Sequence, residues 1–245
     1  LSSQSSSPVS SNKNTSTTTS SSSSSSSEYV QYSVGNVAGI KKKLIEFNGS
    51  SSAAVALSES ECNVLAVRVM KDLETTTTAA VSSSFVYNDE VDRCIFKILN
   101  TWPLAKHFPV LDLLRLCISK YPKEIGAYYR VKGSFFANLL SSKEQQQPAA
   151  NRMIVYRLLC NALASDDVAC QLIAPELPVI LERVIQENSP WAVKKSDKAP
   201  VREPFIAFVH NLIFMYSHSR GPTTETEATL DEESLVQLLN VLVML

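Results

Sequence analysis

Three segments of the chain have the pattern of helices that are apolar on nearly every side and carry polar residues along one narrow stripe. The first segment covers 110–120, and its stripe contains Asp112, Arg115 and Ser119 at positions i, i+3 and i+7. A helix with this pattern is buried on nearly every side, so the stripe marks the one face that stays open. We therefore expect the inner helices of a solenoid, whose open faces line a concave surface.

The second and third segments, 153–165 and 205–218, repeat this pattern. Their polar residues are Arg157, Asn161 and Ser165 in the second segment, and His210, Asn211, Ser217 and His218 in the third. In each case most of the helix circumference is apolar, which again indicates burial between neighbouring helices.

The spacing of the stripes is close to that of a known class of repeat. Arg157 follows Arg115 by 42 residues, and armadillo and HEAT repeats have about 40–47. Asn211 follows Asn161 by 50 residues, which places an insertion in the proline-containing stretch 188–203. The sequence thus predicts an all-α fold, an armadillo-like helical-repeat superhelix. A generic helical bundle remains the alternative, because three units are few.

The rest of the chain beyond residue 28 also has helical periodicity. Asn48-Gly49 is a helix stop signal, Ser58 with Glu61 is a capping box, and Asn88 is an expected N-cap. Further helices are expected over 124–131, 134–141, 149–164, 167–173, 176–187, 202–218 and 230–245, with a Thr/Ser-rich loop at 75–84.

The first 28 residues differ in composition from everything that follows. Residues 1–27 contain sixteen serines and four threonines, too few apolar groups to offset the entropy of folding. We expect a disordered Ser/Thr-rich linker at 1–28 and one folded domain at 29–245. Because the chain starts at Leu1 and ends within the apolar run 241–245, we expect it to be a fragment of a longer protein.

Composition excludes several functional classes. The net charge of -1 argues against nucleic-acid binding through bulk electrostatics, and no apolar run approaches the roughly 20 residues that cross a bilayer. The five cysteines form no C-x-x-C pair, which favours buried thiols in the cytoplasm or nucleus. No nucleotide-binding, hydrolase or metalloprotease motif occurs, so we expect no enzyme activity, cofactor or metal.

Four stretches, in order along the chain, resemble the PUL domain family. Tyr29-Val30-Gln31-Tyr32 together with 40–48 resembles its opening, and 108–116 is close to its most recognisable motif. The stretch 151–161 resembles the next inner helix, and His210-Asn211 stands where another inner-helix Asn belongs. Matches in this order and spacing are far more specific than any one of them alone.

The resemblance implies an armadillo-like adaptor domain that is not an enzyme. PUL domains occur in ubiquitin-binding WD40 proteins of the phospholipase-activating-protein type, and they bind the acidic C-terminal tail of the hexameric AAA ATPase valosin-containing protein in a basic groove. This implies a role in ubiquitin-dependent protein turnover, with ubiquitin bound by regions outside this chain. An alternative is a targeting domain of a larger thioredoxin-like or deubiquitinase-like enzyme that binds another peptide.

The expected peptide-binding residues are Arg115, Arg157, Asn161, Asn211, Asp112 and Ser119. Guanidinium groups suit the carboxylates of an acidic tail, and Asn side chains can bind peptide amides without sequence preference. For Arg115 a local ion pair with Asp112 is the alternative, and either Asn could instead tie neighbouring repeats together.

One departure from the family concerns the end of the chain. PUL domains have a further C-terminal repeat that supplies another Arg to the groove, so this resemblance implies that the last repeat is missing here. We expect its absence to weaken peptide binding. We also expect it to expose an apolar face of the last helix, formed by Leu235, Leu238, Leu239, Leu242 and Leu245.

Overall fold

The computed structural model describes residues 29–74, 86–141, 147–165, 168–186 and 188–218, together with positions 236, 240 and 243. Every regular element in these ranges is helical, and the predicted all-α helical-repeat fold is confirmed. Three expectations lie outside the described residues: disorder over 1–28, the loop at 75–84, and the apolar face of the last helix.

Nine helical elements follow one another along the described part of the chain. They are α1 (Val37–Gly49), α2 (Glu59–Asn63, continued by the π-helical Val64–Met70 and by Lys71–Glu74), α3 (Asp89–Thr101), α4 (Phe108–Lys120), α5 (Pro122–Lys132), α6 (Phe135–Leu139), α7 (Ala149–Leu163), α8 (the π-helical Ala169–Ile173 continued by Ala174–Ile185) and α9 (Ala199–His218). A single 3₁₀ turn, Leu104–Lys106, joins α3 to α4.

The predicted helix boundaries agree with the structure where a side chain caps the helix. The Ser58 hydroxyl accepts from the backbone of Glu61 and the Glu61 carboxylate accepts from the backbone of Ser58, which completes the capping box of α2. The Asn88 side chain accepts from the first turn of α3, and α1 ends at Gly49. The helices expected at 167–173 and 176–187 instead form one continuous element, α8, through a π-helical stretch that contains no capping residue.

Helices α4, α7 and α9 are the three segments with narrow polar stripes. Helix α7 lies in the middle and packs against α4 on one flank and α9 on the other. Most of their apolar side chains are buried in one continuous core, as expected for inner helices covered on both flanks. None of the helices in the described ranges is long and apolar enough to cross a membrane.

The expected insertion between the second and third inner helices is packed against α7. Trp191 is buried, and its carbonyl accepts the hydroxyl of Tyr156 from α7. The guanidinium of Arg152, only 2% exposed, forms a bidentate ion pair with Asp197, with one contact at 2.6 Å. These contacts make the insertion part of the core, and α9 follows directly at Ala199.

Candidate peptide-docking surface

An extended segment of the chain itself crosses the open faces of α4, α7 and α9. This segment, residues 29–35, is called the strap here. It lies directly before α1, and its hydrogen bonds to the inner helices fall on Val30, Tyr32 and Val34. Bonding by every second residue is the pattern of an extended strand, whose backbone groups point alternately to opposite edges.

Two of the predicted residues hold the strap by its backbone. Asn161 accepts from the N–H of Tyr32 at 2.7 Å and donates to the carbonyl of Tyr32 at 3.0 Å. Asn211 accepts from the N–H of Val30 at 2.8 Å and donates to its carbonyl at 2.8 Å. An Asn side chain has an acceptor oxygen and two N–H donors, so it can bind the N–H and the C=O of one residue at once.

The second N–H of each amide binds a neighbouring inner helix. Asn161 on α7 donates to the carbonyl of Arg115 on α4 at 3.1 Å, and Asn211 on α9 donates to the carbonyl of Cys160 on α7 at 3.2 Å. Each Asn therefore binds the strap backbone and also connects two neighbouring inner helices, which was the alternative role considered for these residues. Both N–H groups and the oxygen of each side chain are engaged, as is usual for polar groups that are buried.

Arg115 is likewise engaged within the chain. Its Nε donates to Asp112 at 2.7 Å, and its terminal nitrogens donate to the carbonyls of Tyr32 and Val34, the latter at 3.2 Å. The residue is only 3% exposed. The local pair with Asp112 and the contact with a peptide backbone thus both exist, and the peptide is the strap.

The strap lies so close to α4 that a Cβ atom at its end would force neighbouring side chains to shift. A Cβ atom on Gly35 would stand 2.8 Å from Nη2 of Arg115 and 2.8 Å from Cδ1 of Leu116. Both distances are below van der Waals contact, and both neighbouring side chains are buried. Glycine is the residue that permits such a close approach of backbone to side chain.

The aromatic side chains of the strap contact two different inner helices. The ring of Tyr29 packs edge-on against Phe214 of α9, with 4.7 Å between centroids. The ring of Tyr32 lies under the guanidinium of Arg157, whose Cζ is 5.1 Å from the ring centroid. Burial raises the pKa of the Tyr32 phenol, although the nearby Arg157 lowers it in part, so the ring is neutral at physiological pH.

Arg157 differs from Arg115 in having no polar partner. No hydrogen bond or ion pair joins it to another residue in the described part of the chain, and its Nε is buried without an acceptor. The side chain is partly buried. A guanidinium in such a place normally binds a carboxylate or a carbonyl, so the structure leaves a cation on this surface ready for an acceptor.

The structure thus brings most of the predicted site residues onto one surface. Arg115, Asn161 and Asn211 contact the strap backbone, Arg157 contacts a strap side chain, and Asp112 supports Arg115. Ser119 lies on α4 one turn beyond Arg115 and is partly buried. Sequence reasoning did not predict that the strap occupies this surface, although Tyr29-Val30-Gln31-Tyr32 was among the stretches that carry the resemblance.

Residues 26–245 match the PUL domain family. The chain belongs to that family. The match covers the strap and all of the helices described above, and it makes this a protein-binding domain. No protein with curated annotation matches the chain.

The buried thiols of this PUL domain do not have the environment of a nucleophile. Burial raises the pKa of Cys117 to about 12 and that of Cys160 still further, in spite of the Arg157 charge near Cys160. A reactive cysteine needs a lowered pKa and an open site. Among the described residues, no group of three or more His, Cys, Asp or Glu side chains has a metal-binding arrangement.

Proposed function

We propose that this PUL domain is a non-enzymatic adaptor that docks the acidic C-terminal tail of a hexameric AAA ATPase of the valosin-containing-protein type. The proposal places the chain in ubiquitin-dependent protein turnover in the cytoplasm or nucleus, with ubiquitin bound by other regions. The observation that carries it is the unpaired guanidinium of Arg157 beside a surface that already holds an extended peptide.

Arg157 has the chemistry that an acidic tail requires. Its guanidinium presents donors in a planar fork that matches a carboxylate, and such charge-assisted hydrogen bonds are roughly twice as strong as neutral ones. The Tyr32 ring holds one face of the guanidinium, so little side-chain entropy is lost when a ligand binds. Pairing with a carboxylate would also satisfy a polar group that is partly removed from water.

The strap changes the roles expected for the other site residues. The donors of Arg115, Asn161 and Asn211 already bind strap carbonyls or neighbouring helices. While the strap is in place, these residues position the surface and Arg157 is the cation that meets the ligand. Direct contact of Arg115 with the tail stays a prediction, and it requires that the strap leaves.

The experiment is a calorimetric titration of the full chain with a synthetic peptide of the ATPase tail. Three forms of the peptide are compared: the free acid, the C-terminal amide, and a form with each Asp and Glu replaced by Asn and Gln. We expect binding of about micromolar strength for the free acid, as is usual for a short linear peptide, and at least tenfold weaker binding when the side-chain carboxylates are removed. Equal affinity for the acidic and neutral peptides would contradict the proposal.

The two modified peptides separate two kinds of recognition. A loss with the amide, in addition to the loss with the neutral side chains, means that the surface also captures the terminal carboxylate. A loss only with the neutral side chains means that it reads the acidic residues along the tail. Either outcome fits one guanidinium, and a hexamer that presents several tails would raise the apparent affinity through multivalency.

A further inference from the structure

The strap presents a strand edge without partners to the open side of the surface. The backbones of Val30, Tyr32 and Val34 bond to the inner helices. Gln31 and Ser33, which alternate with them, are exposed and form no hydrogen bond within the described residues. Because neighbouring residues of an extended strand direct their N–H and C=O groups to opposite edges, the groups of Gln31 and Ser33 point away from the helices.

The strap is held too firmly for a short peptide to replace it easily. Asn161 and Asn211 each bond both polar groups of a strap residue. Arg115 donates to the same Tyr32 carbonyl and to one further carbonyl, that of Val34. The strap is also continuous with α1, so its local concentration greatly exceeds that of a separate peptide. A competing peptide could at best form the same hydrogen bonds, without the advantage of the covalent connection.

We propose that the acidic peptide binds as an added strand on the outer edge of the strap, paired with the backbones of Gln31 and Ser33. This inference rests on the proposed function and names the mode of binding at that same surface. A peptide in this position exchanges N–H and C=O groups with an unpaired edge, which is a recurring mode of peptide recognition. Arg157, on the neighbouring ring of Tyr32, then supplies the contact to a carboxylate.

In this mode of binding, the strap backbone and the charged side chain have different roles. Backbone pairing provides affinity that does not depend on peptide sequence, and the charged group provides the preference for acidic residues. Val34 is 91% exposed beside this edge, so the edge is open to solvent. In this arrangement Asn161 and Asn211 are positioning residues that hold the first strand in place.

The test is a pair of substitutions at one position, Ser33→Pro and Ser33→Ala. Proline removes the outward N–H and places its ring on that edge, yet it is compatible with extended backbone and leaves the inner edge intact. Alanine keeps the N–H. We expect the tail peptide to bind Ser33→Pro at least about tenfold more weakly than the wild type, and Ser33→Ala within about twofold of it.

Amide hydrogen exchange of the wild-type chain, measured by NMR, gives a second readout. It distinguishes strand addition from displacement of the strap, because the two modes change different exchange rates in opposite directions. In strand addition, the peptide slows exchange at Gln31 and Ser33 and leaves Val30 and Tyr32 protected. If the peptide instead displaced the strap, exchange at Val30 and Tyr32 would become faster and Ser33→Pro would bind as well as the wild type or better.

The outcomes separate the two proposals. If the wild-type chain binds the acidic peptide and Ser33→Pro binds it with the same affinity, strand addition is wrong. The proposed adaptor function is not contradicted by that result. A wild-type chain that binds acidic and neutral peptides equally, or neither of them, overturns both. Circular dichroism of both Ser33 variants, together with the protected Tyr32 amide, shows that the strap is still in place when the affinities are compared.

Discussion

Asn211 and Val30, 181 positions apart in the sequence, bind each other through two hydrogen bonds of 2.8 Å. The same pair of bonds joins Asn161 to Tyr32 on the neighbouring inner helix. Together they fix the strap across the repeats, in the way that an extended peptide is held by its backbone. The surface formed by the inner helices of this PUL domain therefore also includes one strand-like segment.

The first prediction concerns amide exchange along the strap in the absence of ligand. The N–H groups of Val30 and Tyr32 are bonded to side-chain oxygens of buried Asn residues, while those of Gln31 and Ser33 have no such partner among the residues that the structure describes. We expect exchange to be slow at 30 and 32 and fast at 31 and 33, with a difference of at least tenfold. Uniformly fast exchange across 29–35, measured by NMR, would show that the strap does not rest on the helices.

The second prediction uses two glycines with different surroundings. Gly35→Ala brings a methyl group within 2.8 Å of buried side chains, and we expect a loss of about 1–3 kcal/mol in the free energy of unfolding. Gly49→Ala is the matched control, because the new methyl group has no neighbour within 4 Å apart from the adjacent residues and the backbone of its own helix, and alanine favours helix. Urea denaturation should show destabilisation by the first change and none by the second.

The third prediction concerns the ion pair that fastens the insertion to α7. Asp197→Ala leaves the buried Arg152 without its carboxylate, which should cost about 3–5 kcal/mol at neutral pH. The exposed pair of Lys43 and Glu46, at 2.9 Å, is the control, since Glu46→Ala should change stability by less than about 0.5 kcal/mol. Equal effects in urea denaturation would contradict the structural role of Asp197.

The ion pair of Arg152 and Asp197 also makes the free energy of unfolding depend on pH. Burial alone would raise the pKa of Asp197, but the hydrogen bonds from Arg152 and from the backbone of Lys194 lower it overall. A carboxyl group with a lowered pKa stabilises the fold above its unfolded pKa of about 3.9 and loses that contribution as the pH falls through its folded value. The difference in stability between wild type and Asp197→Ala should therefore shrink below about pH 4.

The fourth prediction concerns the cysteines. Burial raises the pKa of Cys94 to about 11 and that of Cys117 to about 12, so neither has an appreciable thiolate fraction at pH 8. Cys62 is partly exposed and its pKa is raised less. Mass spectrometry after brief treatment of the native chain with iodoacetamide should find Cys62 labelled well before Cys94, Cys117 or Cys160. Early labelling of Cys117 or Cys160 would instead indicate an open inner surface.

The inner helices could be predicted from sequence because their signal is local. Each of α4, α7 and α9 shows its burial through its own polar stripe, and the caps at Ser58 and Asn88 mark helix starts within a few residues. The continuity of α8 could not be predicted in the same way, since a π-helical stretch has no distinct pattern of apolar positions.

The strap is the part of the site that sequence could not supply. Its position depends on contacts with Asn161 and Asn211, which lie more than a hundred positions away, and seven residues have no periodicity of their own. The stripes did point to Arg115 and Arg157, which both contact the strap. The stripes could not show that the guanidinium of Arg115 is hydrogen-bonded to the strap and to Asp112. Nor could they show that the guanidinium of Arg157 has no acceptor among the described residues.

The most direct test of the proposed function is calorimetric binding of the acidic tail peptide to the 245-residue chain carrying Arg157→Gln. Arg130→Gln is the matched control, because Arg130 is an exposed arginine on α5, outside the inner helices. We predict that Arg157→Gln weakens peptide binding at least tenfold, while its unfolding midpoint stays near that of the wild type. Arg130→Gln should bind the peptide like the wild type. Equal affinities for the two variants would contradict the proposed function.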